Sequence, residues 1–227
     1  MIRCERLCVE RAGRLVVEDV TLAVEQGDSL AVVGRSGSGK SSLLAALATA
    51  LPIRGGDAFV GGTSVRRDPE RARRLLGYAP AHLAAWPAVR ADEFLELFAV
   101  AAGLRGKPLR AAIESALSTT GLPGRGGDRL DRLADGDAKK LLLARALVHG
   151  PRILLLDDPL GGLDPAGRTL VERLIEEAAM MGRIVVAAID DGCVPDCFNR
   201  LAVLREGRLA GHGPADPAHF AEIGRAS

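Results

Sequence analysis

The run Gly34-Arg35-Ser36-Gly37-Ser38-Gly39-Lys40-Ser41 fits G-x4-G-K-[ST] and constrains the fold more than any other stretch. It follows a short apolar run, Asp28 to Gly34, and opens a helical pattern from Gly39 to Ala50 that breaks at Pro52. Strand before and helix after are the context that gives this motif its meaning. Glycines let the backbone wrap close to phosphates, successive N–H groups point inward, and the helix N-terminus adds positive dipole. The expected nucleotide-binding residues are Gly34, Arg35, Ser36, Gly37, Ser38, Gly39, Lys40, Ser41 and Ser42. Lys40 is expected to reach the β- and γ-phosphates and Ser41 to ligate Mg²⁺, so the cofactors expected are ATP and Mg²⁺.

A phosphate loop of this type works with a carboxylate at a neighbouring strand end, which holds the metal's water shell. Arg152 to Asp157 is a continuous apolar run, the mark of a strand buried on both faces, and it ends in Asp157-Asp158. Asp157 is the second expected metal residue beside Ser41. Pro165 to Met181 reads as a helix with Asp164 as cap and Pro165 in its first turn. Arg183 to Ile189 reads as another buried strand, and Leu201–Leu204 with Arg208–Ala210 as a terminal hairpin turning at Glu206-Gly207.

Alternating strands and helices imply an α/β sheet with parallel members. The middle of the chain differs. Residues 90–120 are helical in period, Leu122 to Asp137 is a Gly- and Asp-rich loop, and Ala138 to His149 is helical again. Residues 82–150 are read as a helical insertion, with residues 1–81 and 151–227 forming the core of one domain.

Composition excludes several classes. With 227 residues, 48% hydrophobic and 26% charged, the chain is globular and long enough to bury a full core. A net charge of +1 makes no electrostatic case for nucleic acid. The opening MIRCERLCVERAG lacks the apolar run of a signal peptide, and no stretch approaches the ~20 apolar residues that span a bilayer. The expected location is cytoplasmic, with any membrane role through another chain. Cys4/Cys8 and Cys193/Cys197 form two C-x3-C pairs, wider than the usual zinc spacing, and read as small apolar fillers in a reducing compartment.

Taken together, these segments resemble the ATP-binding subunits of ABC transporters, particularly the short single-domain ones of exporters. The likeness runs from Leu15–Gly27 through the phosphate loop, Gly77-Tyr78-Ala79-Pro80, Ala144-Arg145-Ala146-Leu147, Leu156-Asp157-Asp158-Pro159 and Gly162-Leu163-Asp164-Pro165 to Leu204-Arg205-Glu206-Gly207-Arg208. The resemblance implies a P-loop nucleoside triphosphatase core with a mostly parallel sheet, N-terminal antiparallel strands and the helical subdomain. It also implies a second ATP-binding cassette, identical or not, packed head to tail so that two ATPs are sandwiched. A separate polytopic membrane subunit would hold the chain on the inner face of the membrane and send a coupling helix to residues 82–150. Ala134, Asp135 and Gly136 in the signature segment, and Gly162, Leu163 and Asp164, would be the dimer-interface loops. The function implied is Mg·ATP binding at that interface, coupled to transport.

The chain departs from the family pattern at the positions that sense or cleave the γ-phosphate. No aromatic precedes Phe59, so Arg11 or Ala12 stands where adenine would stack; either the Arg11 guanidinium plane takes the aromatic's place or the lost contact costs about 1–2 kcal/mol. Ala81, followed by His82, replaces a glutamine. The signature reads Leu133-Ala134-Asp135-Gly136-Asp137, which adds carboxylates that a nearby arginine, Lys139 or Lys140 is a candidate to offset; the same segment also reads as a capped helix start with acidic first-turn residues. Asp158 replaces the usual glutamate base, remaining the expected catalytic residue with a reach shorter by about 1.5 Å. Ile189, followed by Asp190, replaces a histidine. Weak intrinsic hydrolysis is therefore expected. The alternative is a nucleotide-binding regulatory or scaffold module without a power stroke.

Overall fold

The computed structural model describes residues 1–84, 88–190 and 194–215. In chain order the elements are β1 (Ile2–Arg11), β2 (Arg14–Val24), β3 (Ser29–Gly34), α1 (Lys40–Leu47), β4 (Ile53–Val60), β5 (Thr63–Ser64), α2 (Pro69–Leu75) and β6 (Leu76–Ala79). There follow α3 (Ala91–Ala101), α4 (Gly106–Thr119), a 3₁₀ turn at Leu130–Arg132, α5 (Asp135–Leu147), β7 (Ile153–Asp157), α6 (Pro165–Met180), β8 (Ile184–Asp190), β9 (Arg200–Arg205) and β10 (Arg208–Pro214).

Strand composition sorts the strands into two sheets. The run Ser29–Gly34 is buried at every position, as is Ile153–Asp157, and both lie inside a six-stranded sheet of order β10-β9-β3-β8-β7-β6. Its pairings are parallel except β9 with β10. The N-terminal strands instead alternate buried with exposed and form an antiparallel sheet of order β2-β1-β4-β5. A parallel strand covered on both faces has no solvent side, so it reads as an unbroken apolar run.

Period-two alternation divides the core. Leu30, Val32, Leu155 and Val186 point to one face, where α1 and the antiparallel sheet cover them. Ala31, Val33, Leu156 and Ala187 point to the other, where they share one apolar cluster with residues of α3, α4, α5 and α6. The helical segment is thus packed onto the sheet itself.

Helices α1 and α5 differ in their bounds from the sequence expectation, and α5 also ends at Leu147, ahead of His149. α1 stops at Leu47, short of Ala50, because Thr49 turns left-handed at φ 62°. α5 starts at Asp135, one turn ahead of Ala138: Ala138 N–H reaches back to Ala134 O at 2.9 Å, and Asp135 and Asp137 sit in the first turn, where carboxylates complement the helix dipole. The cap of α6 stands as expected, with Asp164 accepting from Gly167 N–H at 2.8 Å and Pro165 next in line.

The described cysteines are core and bulge fillers. Cys4 and Cys197 are buried, and burial pushes both thiols up to about 12. Cys8 accepts a bond from Asp19 N–H at 3.4 Å beside an irregularity in β1. Cys193 lies outside the described residues, among which there is no cluster of metal-ligating side chains.

Candidate functional site

Parallel pairing assembles the site at the carboxyl ends of the strands, the usual place for a ligand in an open α/β sheet. Register sets Gly34 opposite Asp190 and Ala188 opposite Asp157. The phosphate loop rises from β3, and its shape requires glycine. A Cβ on Gly34 would collide with the Leu204 carbonyl, and one on Gly39, at φ 103°, with the Val16 carbonyl. The loop is fastened from behind, since Gly207 N–H donates to Ser38 O at 3.0 Å and Glu18 N–H to Gly207 O at 2.8 Å. Arg35, Ser36 and Gly37 form its exposed rim, whereas Ser38 and Ser42 are buried. The Ser38 hydroxyl has no hydrogen-bond partner.

Lys40 is only 7% exposed. Its ammonium donates to Gly34 O at 2.6 Å and Arg35 O at 3.0 Å, and it pairs with Asp190 Oδ1 at 3.1 Å. The loop's own carbonyls and one exposed carboxylate hold the charge that an anion would otherwise meet. Beside it, Ser41 Oγ donates to Asp157 Oδ1 at 2.9 Å. Burial pushes the Asp157 carboxyl above its usual range, opposed by the Ser41 bond and reinforced by the charge of Asp158. The hydroxyl and carboxylate meet across 116 residues of chain. They form an all-oxygen pair of the kind Mg²⁺ takes.

Asp158 follows in a left-handed turn at φ 50°. Its carboxylate lies over Gly161, where a Cβ would strike both oxygens. From the opposite side Lys139 of α5, buried, donates to Asp158 O at 2.7 Å, to Ala81 O at 2.8 Å and to Asp158 Oδ2 at 3.2 Å. Of the three candidates named from the sequence, Lys139 therefore does not offset the signature carboxylates. An arginine and Lys140 do, as the sequence reading allowed: Arg125 pairs with Asp137 at 2.6 Å and Asp128 at 2.7 Å, with Lys140 on Asp137 at 3.7 Å. An ammonium on the buried stripe of α5 cannot turn out to the first-turn acids without leaving its own oxygens uncompensated.

The two expected interface loops lie against each other. A Cβ on Gly136 would stand 3.6 Å from Gly162 O and 3.9 Å from Leu163 Cδ2. Ala134, Asp135, Gly162 and Asp164 are exposed, and Leu163 is half-buried. The Asp164 carboxylate is used internally, as the α6 cap. Ile189 is a core residue of β8. Arg11 closes the β1–β2 hairpin opposite Arg14 through the left-handed pair Ala12-Gly13, and is exposed. His82 is exposed at the mouth of a cleft of about 610 Å³ that has Lys139 and Asp158 among its walls.

Residues 17–161 match the family model described as ABC transporter. The hemin import ATP-binding protein HmuV of Streptomyces coelicolor is 35% identical over 213 residues, covering 92% of this chain and 76% of that one. The chain belongs to the ABC transporter family. Its fold is that of an ABC ATP-binding cassette: the dimeric bacterial ABC transporter cassette MJ0796 superposes with a TM-score of 0.86 at 23% identity, covering 95% of this chain and 99% of that one. The phospholipid-transporting ATPase ABCA3 of Mus musculus is 29% identical over 203 residues, which are 88% of this cassette but only 12% of that protein. The likeness is thus not confined to exporters, and the cassette spans a small part of some relatives.

Two residues of the cassette's site escaped sequence reasoning. Asp190 was visible as the carboxylate after Ile189, but only the parallel register of β3 with β8 carries it to Lys40. Lys139 stands at the apolar spacing of α5 with Leu142, Leu143 and Ala146, all buried. A lysine on a buried helical stripe is the signal that could have marked it.

Proposed function

We propose that this chain is an ATP-binding subunit that takes up Mg·ATP, pairs with a second cassette and couples to a separate membrane subunit, with slow intrinsic hydrolysis. The observation that carries the reading is the apposition of Ser41 and Asp157 at 2.9 Å beside a buried, loop-held Lys40. The glycine cradle, the unpartnered Ser38 hydroxyl and the oxygen pair suit a magnesium triphosphate. Gly34 to Ser42 would wrap the phosphates, Lys40 would exchange its carbonyls for phosphate oxygens, and Ser41 with Asp157 would hold Mg²⁺. The metal supplies charge neutralisation at the β- and γ-phosphates. Asp158 would be the carboxylate that orients water, while Ala81 and Ile189 offer no side-chain hydrogen bond to it. Losing one such transition-state contact typically lowers a rate by ~10²–10³.

Ala134, Asp135 and Gly136, with Gly162, Leu163 and Asp164, would face the second cassette. For the membrane subunit, the better seat is a cleft of about 570 Å³ between the α1–α2 side and α3–α5. Its wall carries Arg73, Arg74 and Arg145 against one acid, Glu70, with the Arg145 guanidinium 4.1 Å from the Phe98 ring centre. A segment bearing a carboxylate fits that charge. No described helix is long and apolar enough to cross a membrane, so attachment to the inner face of the membrane would come through this partner.

Titration calorimetry with ATP, at millimolar Mg²⁺ and again in chelator, tests the reading. Uptake that tightens with magnesium is expected, and no uptake under either condition overturns it.

A further inference from the structure

Lys139 holds no phosphate and no metal in the reading above, yet it is among the few charged side chains buried in the described residues. An ammonium has three hydrogens, and here three oxygens receive them: Ala81 O, Asp158 O and Asp158 Oδ2. Two of the three belong to Asp158, one from its backbone and one from its carboxylate. The other side of that carboxylate rests on Gly161, where no Cβ fits. The carboxylate therefore has a seat with two walls, a bare glycine and a buried cation, and the residue between them is in left-handed backbone at φ 50°.

We propose that Lys139 is the positioning residue for the Asp158 carboxylate, fixing from α5 the direction in which a side chain one methylene short of glutamate presents its oxygens. This rests on Asp158 being the carboxylate that orients the attacking water. A short acid compensates for lost reach only if its backbone and its head are both held, and Lys139 holds both while tying them to the loop at Ala81. Lys139 lies in the first turns of α5, three residues after Gly136, so the segment expected at the cassette interface is joined to the carboxylate by one side chain.

The test is single-turnover cleavage of Mg·ATP with chain in excess, alongside calorimetric ATP affinity. For Lys139→Met the cleavage rate is expected to fall about tenfold or more while ATP affinity stays within about twofold. In an Asp158→Asn background the same substitution should change the rate by less than about twofold, because the group it positions is gone. An equal proportional loss in both backgrounds makes Lys139 a structural tie and overturns the proposal, as does an unchanged or raised rate in Lys139→Met. Should Lys139→Met fail to fold, Gly161→Ala displaces the carboxylate from its other wall and is expected to give the same rate loss without loss of ATP affinity. A normal rate in Gly161→Ala then overturns the proposal. Asp158→Asn cleaving at the wild-type rate, or a wild-type chain that binds ATP but never cleaves it, overturns the reading of Asp158 as base and is recognisable as that separate failure.

Discussion

Two of the chain's four lysines are buried, and the regions around them make a controlled comparison. After β3, Lys40 is held by Gly34 O, Arg35 O and the carboxylate of Asp190. After β7, Lys139 is held by Asp158 O, Ala81 O and the carboxylate of Asp158. Each ammonium thus has two backbone carbonyls and one aspartate. The difference is in the acid. Asp190 is 77% exposed at its side chain, so in the proposed complex a phosphate would displace it at little cost, whereas Asp158 is 42% exposed and bound twice by its lysine. The first arrangement is a cation ready to exchange partners, and the second is a cation that stays where it is.

Changing Lys40 should break the comparison most severely. Lys40→Ala is expected to weaken ATP binding by about 100-fold, the loss of roughly two charge-assisted hydrogen bonds, with the fold kept; calorimetry and a melting curve read both. Retained affinity would show that the loop amides alone suffice. Asp157→Asn comes next: the ratio of ATP affinities with and without Mg²⁺ should collapse towards one, since the neutral amide replaces the anion of the Ser41–Asp157 pair. A ratio that survives moves the metal elsewhere.

Asp190→Ala sharpens the contrast in the opposite direction. Removing the exposed acid frees Lys40, so ATP should bind roughly two- to fivefold tighter, the scale of one exposed ion pair. Weaker binding would mean that Asp190 orders the loop. The smallest effect concerns a third cation-forming group, the half-buried His149. His149 donates from Nε2 to Leu76 O at 3.2 Å, its Nδ1 is buried without a partner, and burial pulls its pKa below the usual value, the Leu76 bond opposing. The unfolded chain takes up this proton near pH 6.5, while the folded chain resists until lower pH. Stability should fall as pH drops below about 6.5 and level off beneath the folded pKa. His149→Gln should flatten that limb in urea melts at pH 7.5 and 5.0; an unchanged difference between the two removes His149 as its source.

Local chemistry made much of this legible in advance. Gly34 to Ser42 is contiguous, and each of its parts acts through its neighbours, so its spacing alone implies the cradle. The buried runs around Leu30, Leu155 and Val186 betrayed their place in the sheet because a strand covered on both faces has no polar side. Asp164 and Pro165 announced the start of α6 because a cap works within one turn. The α5 boundary was less visible: Asp135-Gly136-Asp137 has loop composition and also suits an acidic first turn, and in the fold it is that first turn, with Asp137 paired to Arg125 and Gly136 packed beside Gly162.

The amino-acid order alone determined the glycine-rich loop between β3 and α1, the alternation of buried strands with helices and the family to which they belong, since those features are written in neighbours and short periods. The tertiary structure alone decided which oxygens hold each buried ammonium. Lys40 meets Asp190 across 150 residues and Lys139 meets Asp158 across 19, through strand register and helix packing that no local period encodes. A buried charge takes whatever acceptors the fold brings within about 3 Å, and that choice is made by the whole chain.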